Sequence, residues 1–500
     1  MIRYSVLILI LSFYFSPFTS AQKALDKSPN VKYAETITKE DLSRHLHVIA
    51  ADSMEGRKTG EIGQKKAAKY ISEHFKNIGL KPPVKTEEGM SYYQEFQMVS
   101  QTWKEVYIKV GSEKFNFLKD VYVYGNSDFQ EETQLDVVFA GKGNESDYAS
   151  IKVEGKAVVL ISEKAEEEAK AAFARKKGAK TVVFIKGKNQ EEFIEAVDFN
   201  SYYLKRPIKQ IKSPKPKDDT RFYISPRLAA KILNTTEDKL SSLNSASKLQ
   251  IQKIAIKAAT DEKIQFSSEN VLGFLEGTDK KDEIVVITAH YDHIGKDGDV
   301  INNGADDDGS GTVSVMEMAE AFAKAKDEGH GPRRSILFMT VAGEEMGLFG
   351  SSFYTDTEPV FPLENTVVDL NIDMIGRIGG DYIAKNNPDY IYLIGSDKLS
   401  KELHELSEKV NKEYIHLKLD YKYNDENDPN RFYYRSDHYN FAKNNVPIIF
   451  YFNGVHADYH RPTDTVEKIH FPKMEKIARL VFLTAWEIAN KETRLKVDKK

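Results

Sequence analysis

Twice in this chain a run of strongly apolar residues ends abruptly in ionisable ones. The segment Glu283 to Gly311 reads EIVVITAHYDHIGKDGDVINNGADDDGSG. Its run Ile284-Val285-Val286-Ile287 leads into His290, Asp292 and His293, and a Gly/Asn-rich loop then leads into Asp306-Asp307-Asp308. Further on, Ile336-Leu337-Phe338-Met339 leads into Glu344-Glu345. Apolar runs without alternation are what parallel strands covered on both faces require. Carboxylates and imidazoles crowded at the C-terminal ends of such strands are costly to bury unless a cation compensates them. A chain of this kind is held to a covered sheet with a metal site at one edge.

The remaining pattern agrees. Beyond Ser268, strands are expected at 284–288, 336–341, 366–372, 390–394 and 447–452, with helices at 312–326, 399–412 and 473–491. The fold class is therefore α/β, a mixed and largely parallel sheet sandwiched by helices. A helix over 63–77, with Gly79 as its stop and Pro82-Pro83 beyond, belongs to the same core. Residues 92–124 alternate as strands do. Residues 135–186 read as a small α/β unit, with strands at 137–141, 156–161 and 181–185 and a helix over 165–177 stopping at Gly178. Residues 201–220 are basic and irregular, and 234–261 read as turns plus one polar strand. A chain of 500 residues should hold two or three domains. The expected organisation is a discontinuous domain, 31–97 with 263–495, interrupted by a smaller α/β or β-rich domain over 98–262.

The first residues, MIRYSVLILILSFYFSPFTSAQ, join a short positive start to an apolar run and the small residues Thr19-Ser20-Ala21. This is the pattern of a secretory signal over 1–21, and it predicts a secreted or periplasmic protein with no membrane span after cleavage. The absence of cysteine rules out disulfides, thiol nucleophiles and thiolate zinc sites, so any metal must be held by His, Asp and Glu. A net charge of -5, with no basic stripe interleaved with aromatics, argues against nucleic acid as a partner.

Zinc without thiolates takes imidazole nitrogen and carboxylate oxygen. His290, Glu345 and Asp373 follow strand ends directly, while loops must deliver Asp307 and His460. Together they supply the donors for two Zn2+ ions sharing a carboxylate. Glu344 and Glu345 point in different directions, so one can bind metal while its neighbour serves as general base on the water between the ions. Asp292 is placed to fix the second nitrogen of His290.

The ordered set His290-Tyr-Asp292, Gly304-Ala-Asp-Asp307-Asp-Gly-Ser-Gly311, Glu344-Glu345, Asn371-Ile-Asp373 and Tyr459-His460-Arg-Pro-Thr-Asp464 resembles the M28 family of co-catalytic zinc aminopeptidases. Met54-Glu-Gly-Arg-Lys-Thr-Gly60, with Gly79-Leu-Lys-Pro82, is similar to that family's N-terminal part, and Lys177-Gly178-Ala179 before a strand resembles a protease-associated (PA) domain. The resemblance implies His290 and Asp373 on one zinc, Glu345 and His460 on the other, Asp307 bridging and Glu344 as base. It implies Tyr459 as a residue that helps bind the oxyanion, and peptides or proteins as substrates. Ser436-Asp437-His438 also looks family-like, without an evident role.

Three other patterns compete. Asp306-x-Asp308-x-Ser310-Gly311 with Glu317 has the spacing of an EF-hand loop, but a strand precedes it and Glu317 is expected on an exposed helix face. His404-Glu405 begins like a zinc-helix motif yet lacks the second histidine, and Asp425-Glu426-Asn427-Asp428 reads as a loop able to attract an amine. Alternatives to aminopeptidase action are a single-zinc glutaminyl cyclase, a carboxypeptidase-type enzyme on the same fold, and a non-catalytic binding protein.

Overall fold

The computed structural model describes residues 28–498 apart from 126, 128, 164, 165, 201–203 and 213–219. The leader expected over 1–21 lies outside the described residues, as does the first residue of the helix expected over 165–177.

The main sheet has nine strands along its path. In order they are Ile208–Ile211, Tyr93–Val110, Ile254–Leu275, Arg334–Val341, Lys280–His290, Thr366–Ile372, Ile448–Phe452, Tyr390–Ile394 and Lys418–Asp420. The four from Arg334–Val341 to Ile448–Phe452 are parallel to one another, and antiparallel pairs flank them. The central strand shows why its sequence does not alternate. Val285 and Ile287 pack into one core with the helices Gly311–Asp327 and Phe471–Asn490, while Ile284 and Val286 pack into another on the opposite face with Leu337 and Phe441. Both faces are covered, so every position of the run is apolar.

The helix Lys39–Ile49 starts on Thr38, whose Oγ1 accepts from the Asp41 amide at 3.2 Å. Helix Ile62–Asn77 packs Ala67, Ala68, Ile71 and Phe75 into the first core, as its spacing predicts.

A second sheet of five strands runs Val121–Tyr124, Arg221–Ile224, Thr181–Ile185, Ala157–Ile161, Val137–Phe139. Helix Glu167–Lys176 lies where the sequence predicts one, and helices Gln190–Phe199 and Pro226–Leu233 were not foreseen. The two longest strands, Tyr93–Val110 and Ile254–Leu275, pair from Tyr93 opposite Val271 to Val110 opposite Ile254. They belong to the main sheet throughout, yet their far ends contribute Val106, Ile108, Ile254 and Ile256 to the core beneath the second sheet. The boundaries expected at 97/98 and 262/263 fall inside this continuous pair. Among the described residues, no helix is long and apolar enough to cross a membrane.

Candidate metal centre

Four adjacent parallel strands end on one edge of the main sheet, and ligand-type side chains follow each of them. His290 is the last residue of its strand, Glu344 and Glu345 lie three and four positions beyond Val341, and Asp373 follows Ile372. The loop after Ile448–Phe452 delivers His460, and the turn before helix Gly311–Asp327 delivers Asp307. His290 Nε2 lies 3.3 Å from Asp307 Oδ1, 3.6 Å from Asp373 and 4.0 Å from Glu344. His460 Nε2 lies 3.1 Å from Asp307 Oδ2 and 3.0 Å from Glu345. Asp307 therefore turns one oxygen to His290 and the other to His460.

All six side chains expected at the centre thus meet, and a seventh joins them. His293 Nδ1 lies 2.8 Å from Glu345 and 3.7 Å from Asp307, and its ring is fully enclosed. Two groups of donors result, His290 with Glu344 and Asp373, and His293 with Asp307 and Glu345. His293 was visible in the sequence as the second histidine of His290-Tyr-Asp-His293, but only its strand-end neighbour was read as a ligand.

Asp292 meets the second nitrogen of His290, but through its backbone. The Nδ1 atom of His290 meets the backbone carbonyl of Asp292 at 3.1 Å, while the carboxylate stands 3.7 Å away. That carboxylate also accepts from the Glu344 amide at 3.3 Å and from the Thr59 hydroxyl at 2.5 Å. It fixes the turn that carries the paired glutamates.

The acidic triplet is buried in full. Asp308 Oδ1 accepts from the amides of Gly311 and Met374, and Asp306 Oδ1 accepts from the amide of Gly376. Asp464 Oδ2 accepts from the amides of Asp306 and Asp307 at 3.0 and 3.2 Å. Only Asp307 is left to face the centre. Gly304 enters this turn at φ +57, where an added Cβ would meet Asp307 O at 2.3 Å and the His293 ring at 2.6 Å. Beneath it lies Arg57, wholly buried, whose guanidinium donates to the carbonyls of Tyr291, Ile49, Asn303 and Gly304 at 2.6–2.9 Å. Ser436 and Asp437 also find a role: Ser436 Oγ accepts from Asn371 on the strand that precedes Asp373, and Asp437 accepts from Ser351 on the helix Phe349–Ser352 beyond the paired glutamates.

The electrostatics are those of a cation site. Burial raises Glu344 well above the ordinary carboxyl range, with Asp373 and Glu345 adding to the rise. Burial opposes charge on His460, but Asp307 and Glu345 overcome it and lift the imidazole to about 10. The same contest lifts His290, through Glu344 and Asp373. His290 Nε2, both nitrogens of His293, Asp307 Oδ2 and Glu345 Oε1 are buried without a hydrogen-bond partner. Buried polar atoms almost always have partners, so this cluster of orphans fits bound metal, and the donor set of imidazole and carboxylate fits zinc.

A pocket that opens onto Asp307, Glu344 and Asp373 is lined on its other sides by aromatic and apolar groups, Phe432, Phe450, Phe452 and Tyr459 among them, and by Arg435. The Tyr459 ring stacks on His460 at 3.9 Å, and its hydroxyl accepts from Arg435 at 3.4 Å. The competing loops do not join it: Asp425 and Asp428 are engaged in their own turn, and the Nδ1 atom of His404 contacts Ser396. Glu317 is not exposed but 3% accessible, within helix Gly311–Asp327.

Residues 270–485 match the family described as Peptidase family M28. Aminopeptidase YwaD of Bacillus subtilis is 27% identical over 258 residues, which cover 49% of this chain and 50% of that protein. A probable zinc metalloprotease of Pyrenophora teres is 33% identical over 147 residues, 28% of each chain. The chain thus spans half or less of the length of these two curated relatives. Among solved structures, a zinc aminopeptidase from Bacillus subtilis aligns over 93% of this chain and 98% of its own at 18% identity, with a TM-score of 0.47.

Proposed function

We propose that this chain is a zinc metallopeptidase that removes N-terminal residues from peptides and that its centre takes two zinc ions. The observation that carries the reading is the set of buried, unpartnered imidazole and carboxylate atoms around Asp307. The M28 match over the same segment and the aminopeptidase among the relatives support it. His290 and Asp373 would hold one ion, Glu345 and His460 the other, with Asp307 between them and His293 a further donor beside Asp307 and Glu345. Zinc bound there supplies Lewis acidity toward the scissile carbonyl and makes water acidic enough to be deprotonated near neutral pH.

Glu344 is the general base. It lies 4.0 Å from His290 Nε2, beside the donor atoms, where a carboxylate can accept a proton from water and then hand it to the departing amine. Asp292 holds the backbone of this residue, so the base is presented from a fixed turn. The Tyr459 hydroxyl, held by Arg435, donates to the oxygen that gains charge. The aromatic pocket receives the side chain of the residue being removed. The leader over 1–21 would export the protein to the periplasm or exterior, and 98–262 would be a PA-like insertion that shapes access to the cleft.

Hydrolysis of aminoacyl-nitroanilides, with and without chelator, tests the reading. The expected result is cleavage of free-amine substrates that chelator stops and zinc restores, with N-acetylated substrates left intact. One tightly held zinc and no hydrolysis would overturn it. Glu344→Gln should keep its zinc while kcat falls by roughly 10³-fold, within the range for a lost general base. Near-normal turnover would remove Glu344 from that role.

A further inference from the structure

A second cluster of ligand-type side chains lies away from this centre, where three helices meet. His45 comes from helix Lys39–Ile49, His74 from Ile62–Asn77, and Glu317 and Glu320 from Gly311–Asp327. Donor atoms of His45, His74 and Glu320 all lie within 4.8 Å of one another. The two imidazole rings meet edge to face at 4.9 Å. Glu317 stands beside them, with its Oε1 3.2 Å from His45 Nε2.

Glu317 is the unusual member. Its carboxylate is 3% accessible, and Oε1 has no hydrogen-bond partner. A helix interior seldom keeps a glutamate in that state, because the desolvation cost is not returned. Other groups face the cluster. Arg44 Nη2 lies 3.5 Å from His45 Nε2 and 3.8 Å from Glu317, but it is largely exposed and pairs at 2.9 Å with Asp41. The Tyr70 hydroxyl meets His45 Nδ1 at 2.7 Å, which leaves Nε2 turned toward Glu317. One nitrogen of His74 meets the Met316 carbonyl at 3.2 Å, so the other is available.

We propose that His45, His74 and Glu320, with Glu317 beside them, form a further site for a divalent transition ion, which clamps helix Gly311–Asp327 to its two neighbours. Two imidazoles and carboxylates select zinc or a similar ion over magnesium or calcium, which take oxygen. Burial lowers the pKa of both histidines, keeping them in the neutral form that ligates. The clamp sits on the helix whose first turn follows the Asp307 loop, and Leu46 of the neighbouring helix packs against Gly309 of that loop. The ion would brace the loop from behind without supplying chemistry.

The test is zinc alone, added by equilibrium dialysis to the full chain and counted by elemental analysis, with folding followed by circular dichroism. His74→Asn with Glu320→Gln should bind one zinc fewer per chain than the parent, and the rise in melting temperature that zinc gives should shrink. The same loss of one equivalent should appear in an Asp307→Asn background, which separates this site from the proposed catalytic pair. Arg44→Gln, which removes the competing cation, should tighten the site. Equal zinc content in the parent and a folded double variant overturns the proposal, as does a zinc-induced rise in melting temperature that the double variant keeps in full.

Discussion

Arg57 shows how much of the centre depends on a residue that never touches it. Four carbonyls from three separate segments accept from one planar guanidinium, and the acidic groups Asp307, Asp292, Asp308 and Asp464 surround it. Lysine has a point charge rather than a fork and cannot serve those carbonyls together. Arg57→Lys should therefore lower stability by about 3 kcal/mol, as breaking a buried charged network does, read as a shift of the urea midpoint. It should weaken zinc retention too, because the Gly304 turn would lose its anchor. A variant with the parent's urea midpoint would show that the guanidinium does not hold the loops.

At this scale the sequence was most legible where chemistry and position coincide. His290, Glu345 and Asp373 sit at strand ends, and a strand end can be located from an apolar run. Asp307 and His460 could be named only through their motifs, since loops deliver them. The parts that stayed hidden are those whose partner is backbone. Nothing in the run Asp306-Asp307-Asp308 says that the outer two carboxylates bind amides of a distant loop. Nothing in Met54-Glu-Gly-Arg57 says that its arginine is buried. Glu317 was misplaced for a related reason. Helical spacing gives the direction of a side chain, but not whether another helix lies there.

Among the elements, the helix Phe471–Asn490 carries an unusual buried group. Lys473 is 1% exposed, donates to the Tyr390 carbonyl at 2.7 Å, and lies 3.8 Å above the Tyr390 ring. Burial lowers its pKa to about 7. Between that value and the ordinary lysine pKa the unfolded chain binds a proton that the folded chain lacks, so stability from this group rises with pH. The gain is present above the unfolded value and is lost as pH falls through about 7. Between pH 7 and 10 the parent should gain stability relative to Lys473→Met by about 1.4 kcal/mol per pH unit at most. Urea titrations of both proteins across that range measure it, and parallel curves would refute the depressed pKa. The helix itself was legible from its spacing within two residues at each end. The strand Tyr93–Val110 falls within the alternating stretch 92–124, but the full 22 residues of Ile254–Leu275 were not legible, because its apolar face changes partners midway and the alternation is broken by register shifts near Thr260 and Phe266.

Across the whole molecule, those two strands carry the main sheet into the second core, and Ile208–Ile211, inside the intervening segment, adds an edge strand beside residues 98–101 that a deletion would remove. Thr102 and Asp261 are direct partners, and the residues that serve the second core, from Val106 on one strand and up to Ala258 on the other, lie beyond them. Joining 102 to 261 through a two-residue Asn-Gly turn should close an ordinary hairpin. The shortened chain is expected to fold, to keep the zinc of the parent and to hydrolyse small anilides at a comparable rate. A precipitated or metal-free product would mean that the second sheet is part of the same folding unit. Sequence spacing could not show where the two cores join, because a strand that continues from one core into another has no punctuation at the crossing.

The spacing of the donors along the chain has a consequence in time. Synthesis yields His290 first and His460 last, and between them come the strands Arg334–Val341, Thr366–Ile372 and Ile448–Phe452. A growing chain therefore owns most of its acidic and imidazole groups long before it can close them around an ion. The donor set closes only when the last loop, the one that carries His460, has docked beside Asp307 and Glu345.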